Sequence, residues 1–247
     1  MHAVTCLPGV TGAWQVLGGG ALYGHTGMYP ISKKLIEGTE MLDTSIRELD
    51  QSRMGPILMG DKDALMNGPP VTGLIIQNTN PAMVCPELDK VHAGFRREDL
   101  FTCVHEQFLT ETAAYADIVL PATMFLEHDD FYTASGHTFF QVTKKVVEAP
   151  GECRENHWVI AELAKRLGAT HRGFSMTPWE IMDESLKASG MWDAETNWQK
   201  GGQDFHLGFE TSHFLDGFAW PDKKFRFKPD WKAYGPRGAE MPALPDH

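Results

Sequence analysis

The amino-acid sequence predicts an α/β fold: a parallel sheet with helices on both faces, followed by an irregular, aromatic-rich C-terminal segment. Three observations predict it. Between residues 71 and 170, short apolar runs alternate with helix-like stretches, the pattern of a parallel sheet covered by helices. Each apolar run gives way to polar residues or proline. From residue 191 onward the periodicity fades, and Phe, Trp, Gly and Pro accumulate.

Residues 1–30 open with an apolar stretch of helix-compatible spacing, broken by Gly18-Gly19-Gly20. The triplet lacks the GxxxxGK[ST] and GxGxxG spacings, so a flexible or close-packed loop is expected there, not a phosphate cradle. Helices are expected at Ser32–Glu37 and around Thr44–Gln51, followed by the turn-rich loop "GDKDALMNGPP". Val71–Ile76 reads as a strand and Pro86–Ala93 as a helix. Leu100–Val104 is a second strand, Thr110–Ala116 is helical, and "DIVLPA" is a short strand ended by Pro121. "RENHWVIAELAKRLGA" reads as a helix with Asn156 in its first turn. Its expected apolar stripe is Trp158, Ile160, Leu163 and Leu167, and Gly168 stops it. "MTPWEIMDESLKASG" is a further helix, with Thr177 as N-cap, Pro178 at the first position and Gly190 near the end. Short strands and loops are expected in the aromatic-rich stretch from Phe214 onward. The alternation amounts to a Rossmann-like layer over residues 71–190, preceded by a segment 1–70 and followed by a loop-rich segment 191–247.

Composition narrows the function. The chain has 247 residues, 42% of them hydrophobic, which is enough for a sizeable core. Its net charge of −11 argues against a nucleic-acid partner, because phosphate contacts need basic surface. It also argues against attraction to anionic membranes. Cys6, Cys85, Cys103 and Cys153 are scattered with no CxxC pair, so no metal site is assigned and reduced thiols in a cytoplasmic protein are expected. No apolar run reaches the length of a membrane span, and no signal peptide is read at the N-terminus.

In a parallel α/β sheet, ligands bind at the carboxyl ends of the strands. Here those ends read Gln77-Asn78-Thr79-Asn80, then His105-Glu106-Gln107, then Pro121 running toward Glu127-His128-Asp129-Asp130. The long helix begins with Glu155-Asn156-His157, and free amides at a helix start form an anion site. An amide beside an acidic residue matches guanine, whose N1–H and 2-amino group both donate. Asn and Pro after a strand also simply make turns. His105 reads as a general base, a nucleotide contact or a satisfied buried histidine. The Glu127–Asp130 cluster reads as a metal site, a solvated loop or a cofactor contact.

Several stretches then resemble a known family. "IIQNTNPA", "LFTCVHEQFLTETAAYADIVLPATMFLEHDDFY" and "VVEAPGECRENHWVIAELAKRLG" resemble, in order and spacing, the molybdopterin oxidoreductases of the DMSO reductase family. These include formate dehydrogenases and periplasmic nitrate reductases. "TGAWQVLGGGALY" resembles the family's TGN-x-G-x-x-GGG stretch, with Ala13-Trp14 as a departure. "DGFAWPDKKFRF" resembles the stretch that precedes the last domain.

The resemblance implies a bis-(molybdopterin guanine dinucleotide) molybdenum cofactor and an oxidoreductase function. It implies that residues 71–190 bind the nucleotide end of one molybdopterin guanine dinucleotide. By motif position, cofactor contacts fall on Asn78 or Asn80, on His105 and Glu106, on Glu127 and His128, and on Asn156. His137, in "TASGHTFFQ", falls in a region that lies near the pterin in relatives. Several relatives have Ser-Asp in place of His105-Glu106, Lys in place of His128 and Asp in place of Asn156. A [4Fe–4S] cluster would belong only to a missing N-terminal part, and no catalytic residue is assigned. The chain reads as the middle of a molybdoenzyme, either a fragment or a split subunit, with N- and C-terminal domains or partner subunits supplying the rest. A twin-arginine signal on a missing N-terminus would make the whole protein periplasmic. The alternative is a non-catalytic nucleotide-binding or scaffold module on the same fold. An NAD- or flavin-binding domain is disfavoured, because no strand is followed by GxGxxG.

Overall fold

The structure, a computed structural model, describes residues 2–21 and 26–230. The chain forms two compact units. One contains the described residues of Met1–Tyr29, Thr133–Phe140 and Asp204–His247; the other contains Pro30–Tyr132 and Gln141–Gln203. Residues 71–190 thus lie in the second unit, apart from Thr133–Phe140.

The first unit begins with helix α1, His2–Thr11. Gly20 has φ 96°, and a Cβ there would stand 2.6 Å from the Trp14 ring, so glycine is required. The Trp14 ring meets Phe214 edge-on at 5.2 Å. A chain of rings continues from Phe214 to Phe218 at 4.9 Å, from Phe218 to Phe225 at 5.1 Å and from Phe225 to Phe227 at 5.0 Å. The aromatic residues of the C-terminal segment therefore pack on one another and on Trp14, in spacings that favour aromatic pairs.

The second unit holds the parallel sheet. Helix α2 is Lys34–Glu37, inside the expected Ser32–Glu37. The helix expected around Thr44–Gln51 does not form. Asp43 Oδ1 accepts from the Ser45 amide and hydroxyl at 2.9 and 2.6 Å, and Asp50 does the same with Ser52 at 2.9 and 2.8 Å. Asp43 closes a local turn there, and Asp50 caps the later 3-10 turn Gln51–Arg53. Helix α3, Met54–Leu58, follows, then strand β1, Gly73–Gln77. Asn80-Pro81 starts the short helix α4, Pro81–Val84, with proline at its first position. Helix α5 is Leu88–Phe95, strand β2 is Phe101–Glu106 and strand β3 is Ile118–Pro121. The expected helix at Thr110–Ala116 is a single 3-10 turn, Ala113–Tyr115.

The sheet order is β1-β2-β3, and both pairings are parallel. Helices α3, α4 and α5 close over it through Leu58, Ile76, Ala82, Val91, Phe95, Leu100, Val104 and Ala113, all buried. Fully burying a side chain of Leu, Val, Ile or Phe size stabilises by about 1.5–3 kcal/mol. Helices α3 and α5 approach so closely that a Cβ on Gly94 would lie 2.3 Å from the Leu58 Cβ.

Strand β4, Asp130–Tyr132, pairs antiparallel with strand β5, Phe139–Thr143. Helix α6, Asn156–Arg166, has the expected extent, but of its expected apolar stripe only Leu163 is half-buried and the rest faces outward. Trp158, Ile160 and Leu167 are 46%, 43% and 84% exposed, while Val159 and Ala164 are buried. The helix packs by its small face, which a count of large apolar residues does not reveal. Helix α7, Pro178–Ala188, carries the expected Thr177 cap, completed as a capping box by Glu180. Helix α8, Ala194–Lys200, lies in the segment 191–247 that was expected to be loop-rich. Asp193 caps it through the Thr196 amide at 2.7 Å, and Gly201 at φ 75° ends it. Among the described residues no helix is long and apolar enough to cross a membrane.

Candidate functional site at the carboxyl edge of the sheet

The register brings the strand ends level. Gln77 pairs with His105, and Glu106 pairs with Pro121. The edge continues one residue further, because the Ala122 amide donates to the Glu106 carbonyl at 3.0 Å. Ala122 then bridges to Arg154 in parallel. The Arg154 amide donates to Pro121 O at 3.0 Å, and the Thr123 amide donates to Arg154 O at 3.2 Å. The chain therefore leaves this edge directly into α6, and the start of that helix is held beside the ends of the strands.

The β1 end carries two asparagines in different states. Asn78 sits at φ 53°, the left-handed region that asparagine tolerates better than most residues. Its amide donates to His105 O at 3.3 Å. Its side chain is exposed and, among the described residues, makes no hydrogen bond. Asn80 is engaged instead. Its Oδ1 accepts from the Thr112 hydroxyl at 2.7 Å and the Thr112 amide at 3.2 Å, and its Nδ2 donates to Glu111 at 2.7 Å. The Thr112 hydroxyl in turn accepts from the Ala82 amide at 3.0 Å. Asn80 ties the β1 turn to the loop after β2.

At the β2 end, His105 is fully buried. Its Nε2 lies 3.0 Å from Arg154 O, and its Nδ1 lies 3.1 Å from Gln77 Nε2. One nitrogen donates to the carbonyl while the other accepts from the amide, which fixes the neutral tautomer. His105 joins the ends of β1 and β2 to the stretch that enters α6. Glu106 is half-buried, and its Oε1 accepts from the Gln107 amide at 2.7 Å. Gln107 Nε2 donates to Thr123 O at 2.9 Å.

After β3, Glu127 accepts from the Met124 amide at 2.9 Å and closes its own turn. His128 Nδ1 lies 2.7 Å from the Thr123 hydroxyl, and its Nε2 lies 3.5 Å from Asp130. Asp130 raises the imidazole pKa, burial opposes the rise, and Glu155 and Glu127 add to it. Glu155 occupies the N-cap of α6, yet its side chain caps no amide. Burial raises its pKa, His128 and His157 oppose that rise, and Asp129 and Asp130 reinforce it. Asn156, the first residue of α6, is exposed and, among the described residues, has no side-chain hydrogen bond.

Seven of the eight anticipated residues thus belong to one unit and surround one edge. His137 belongs to the other unit. There its Nδ1 accepts from the Phe139 amide at 3.2 Å, and its carbonyl accepts from the Tyr29 hydroxyl at 2.9 Å. Sequence reasoning did not single out Gln77, Thr123 or Glu155. Their signal was position alone, at a strand end or immediately before a helix. Among the described residues no three His, Cys, Asp or Glu side chains gather closely enough to hold a metal ion.

Fold and edge together define a class: an α/β layer whose polar chemistry collects at the carboxyl ends of parallel strands. Residues 51–166 match the family described as molybdopterin oxidoreductase. A probable oxidoreductase of Bacillus subtilis, YoaE, is 42% identical over 171 residues, covering 69% of this chain and 24% of that protein. The F420-dependent formate dehydrogenase 2 subunit alpha of Methanococcus maripaludis is 29% identical, covering 79% of this chain and 27% of that protein. The chain belongs to the molybdopterin oxidoreductases of the DMSO reductase family. It spans about a quarter of the length of these relatives. In structure it resembles acetylene hydratase from Pelobacter acetylenicus, with a TM-score of 0.52 and 23% identity over 64% of this chain and 21% of that one. That likeness supports the fold. Membership in the family implies a molybdenum pterin cofactor.

Proposed function

We propose that the carboxyl edge holds the guanine nucleotide end of a molybdopterin guanine dinucleotide, as part of a bis-(molybdopterin guanine dinucleotide) molybdenum oxidoreductase. The observation that carries this reading is that the unengaged Asn78 carboxamide and the Glu106 carboxylate each follow directly on the Gln77–His105 pair, at level strand ends. The donor set fits the group. A carboxylate accepts from the N1–H and 2-amino donors of guanine, and a carboxamide both donates and accepts. The uncapped first turn of α6, led by Asn156, offers backbone amides to phosphate. Asn80 and His105 act behind this face, holding the strand ends in place through the hydrogen bonds they already make. When bound, the molybdenum pterin would supply the redox chemistry, while this chain's residues bind and orient its nucleotide tail.

The test is calorimetric titration of the chain with GDP and, separately, with ADP. GDP is expected to bind more tightly than ADP. Hydrogen bonds to a charged group contribute about 1.5–3 kcal/mol, so Glu106→Ala should weaken GDP by roughly tenfold or more. Asn156→Pro, which removes the Asn156 backbone amide at a helix position where proline is tolerated, should weaken GDP and ADP alike, because phosphate contact does not distinguish the bases. Equal binding of both nucleotides by the unaltered chain would sink the guanine reading.

A further inference from the structure

We infer that His128 is the residue that sets the charge of this nucleotide site, making pyrophosphate binding strongest when its imidazole is protonated. The inference rests on the nucleotide reading above and adds its regulation.

The geometry comes first. His128 lies between Thr123, 2.7 Å from Nδ1, and Asp130, 3.5 Å from Nε2. Thr123 is buried at the sheet edge and receives the Gln107 side chain through its carbonyl, so the imidazole is anchored to the edge itself. The charged groups facing His128 are Asp130 from β4, Glu155 from the cap of α6 and Glu127 from the preceding turn. Asp129 acts on the same Glu155. The nearby Arg154 guanidinium stacks over Trp158 at 5.4 Å and donates to Cys153 O at 2.8 Å. A phosphate approaching the first turn of α6 therefore meets carboxylates on one side, with His128 as their compensating cation. Neutral His128 leaves those carboxylates uncompensated, and like charges repel. The carboxylate neighbours also hold the imidazole in its charged form to higher pH than usual.

His128 can switch in a way lysine cannot, because a lysine stays charged throughout. If protonation of His128 is required for tight binding, affinity falls by up to about tenfold per pH unit above its pKa.

The experiment uses GDP-mannose, whose pyrophosphate is a diester and keeps its charge across the range, so the ligand itself does not titrate. Binding to the full chain is measured by calorimetry at pH 5.5, 7 and 8.5. The expected result is at least about tenfold weaker binding at pH 8.5 than at pH 5.5. His128→Lys should bind tightly at every pH, and His128→Asn weakly at every pH. Imidazole proton resonances should show His128 titrating at a higher pH once GDP-mannose is present, as linkage demands. Binding that is pH-independent in the unaltered chain, or equally pH-dependent in His128→Asn, overturns this inference and leaves the nucleotide reading standing. Absence of GDP-mannose binding at every pH overturns the nucleotide reading, and this inference with it.

Discussion

His105 shows what a single buried polar residue does here. Both of its nitrogens are engaged, one with Arg154 O and one with Gln77, and no part of it reaches solvent. His105→Ala would strand both partners and leave a void, so a loss of roughly 2–4 kcal/mol in urea denaturation is expected. A loss below about 1 kcal/mol would mean that water replaces the ring. His128 makes a different prediction. Its folded pKa is raised, so its contribution to stability is complete below its ordinary value near 6.5 and is lost as pH rises through the folded value. Glu155 is raised as well, and its protonated form likewise favours the folded state toward low pH. As pH rises above about 6.5, the unfolding free energy should therefore fall more steeply in the unaltered chain than in His128→Asn, as read from urea midpoints at each pH. That these positions are polar and follow strands was legible in the sequence. Which of them are free to meet a ligand was not. Asn80 finds Thr112, 32 residues away, and Asn78 finds no partner among the described residues; only tertiary pairing separates the two.

Among the elements, helix signals that use neighbouring residues were the most legible. Thr177, Pro178, Glu180 and Gly190 bracket α7 as the sequence implies. Thr177→Ala should cost about 1 kcal/mol, which lowers Tm by roughly 2–4 °C in a chain of this size, measurable by scanning calorimetry. The same logic was available for α8, where Asp193 and Gly201 mark the ends, but the segment was read as loop-rich. At Thr44–Gln51 local chemistry worked the other way. Asp43 closes a side-chain turn where the helix was expected to begin, and Asp50 starts a 3-10 turn where it was expected to end, which composition alone does not reveal. For α6 the extent was legible and the packing face was not, because facing depends on what the rest of the unit presents.

At the scale of the whole molecule, the division into two units was hidden from the sequence. Thr133–Phe140 and the residues from Asp204 onward join a unit begun by the N-terminus, and no local pattern records such distant partnership. The sheet of the other unit has a further property. Strand β1 lies at its edge, and its residues Gly73–Gln77 carry no charge. Ile75 is 62% exposed there. An uncharged edge strand with exposed apolar side chains is a template for self-association. Ile75→Lys should leave stability within about 0.5 kcal/mol and reduce light scattering by concentrated solutions. Scattering that stays the same would place the adhesive surface elsewhere.

The left-handed backbone at position 78 has an evolutionary meaning. Few side chains stand there without strain: asparagine, aspartate and glycine are the easy occupants. On the nucleotide reading proposed above, recognition at this corner is spelled in a very short alphabet. Exchange to aspartate would turn a group that both gives and takes hydrogen bonds into one that only takes them, and exchange to glycine would erase it. In both cases the turn would survive. A lineage could retune which base it reads by one such substitution, without rebuilding the strand that carries it.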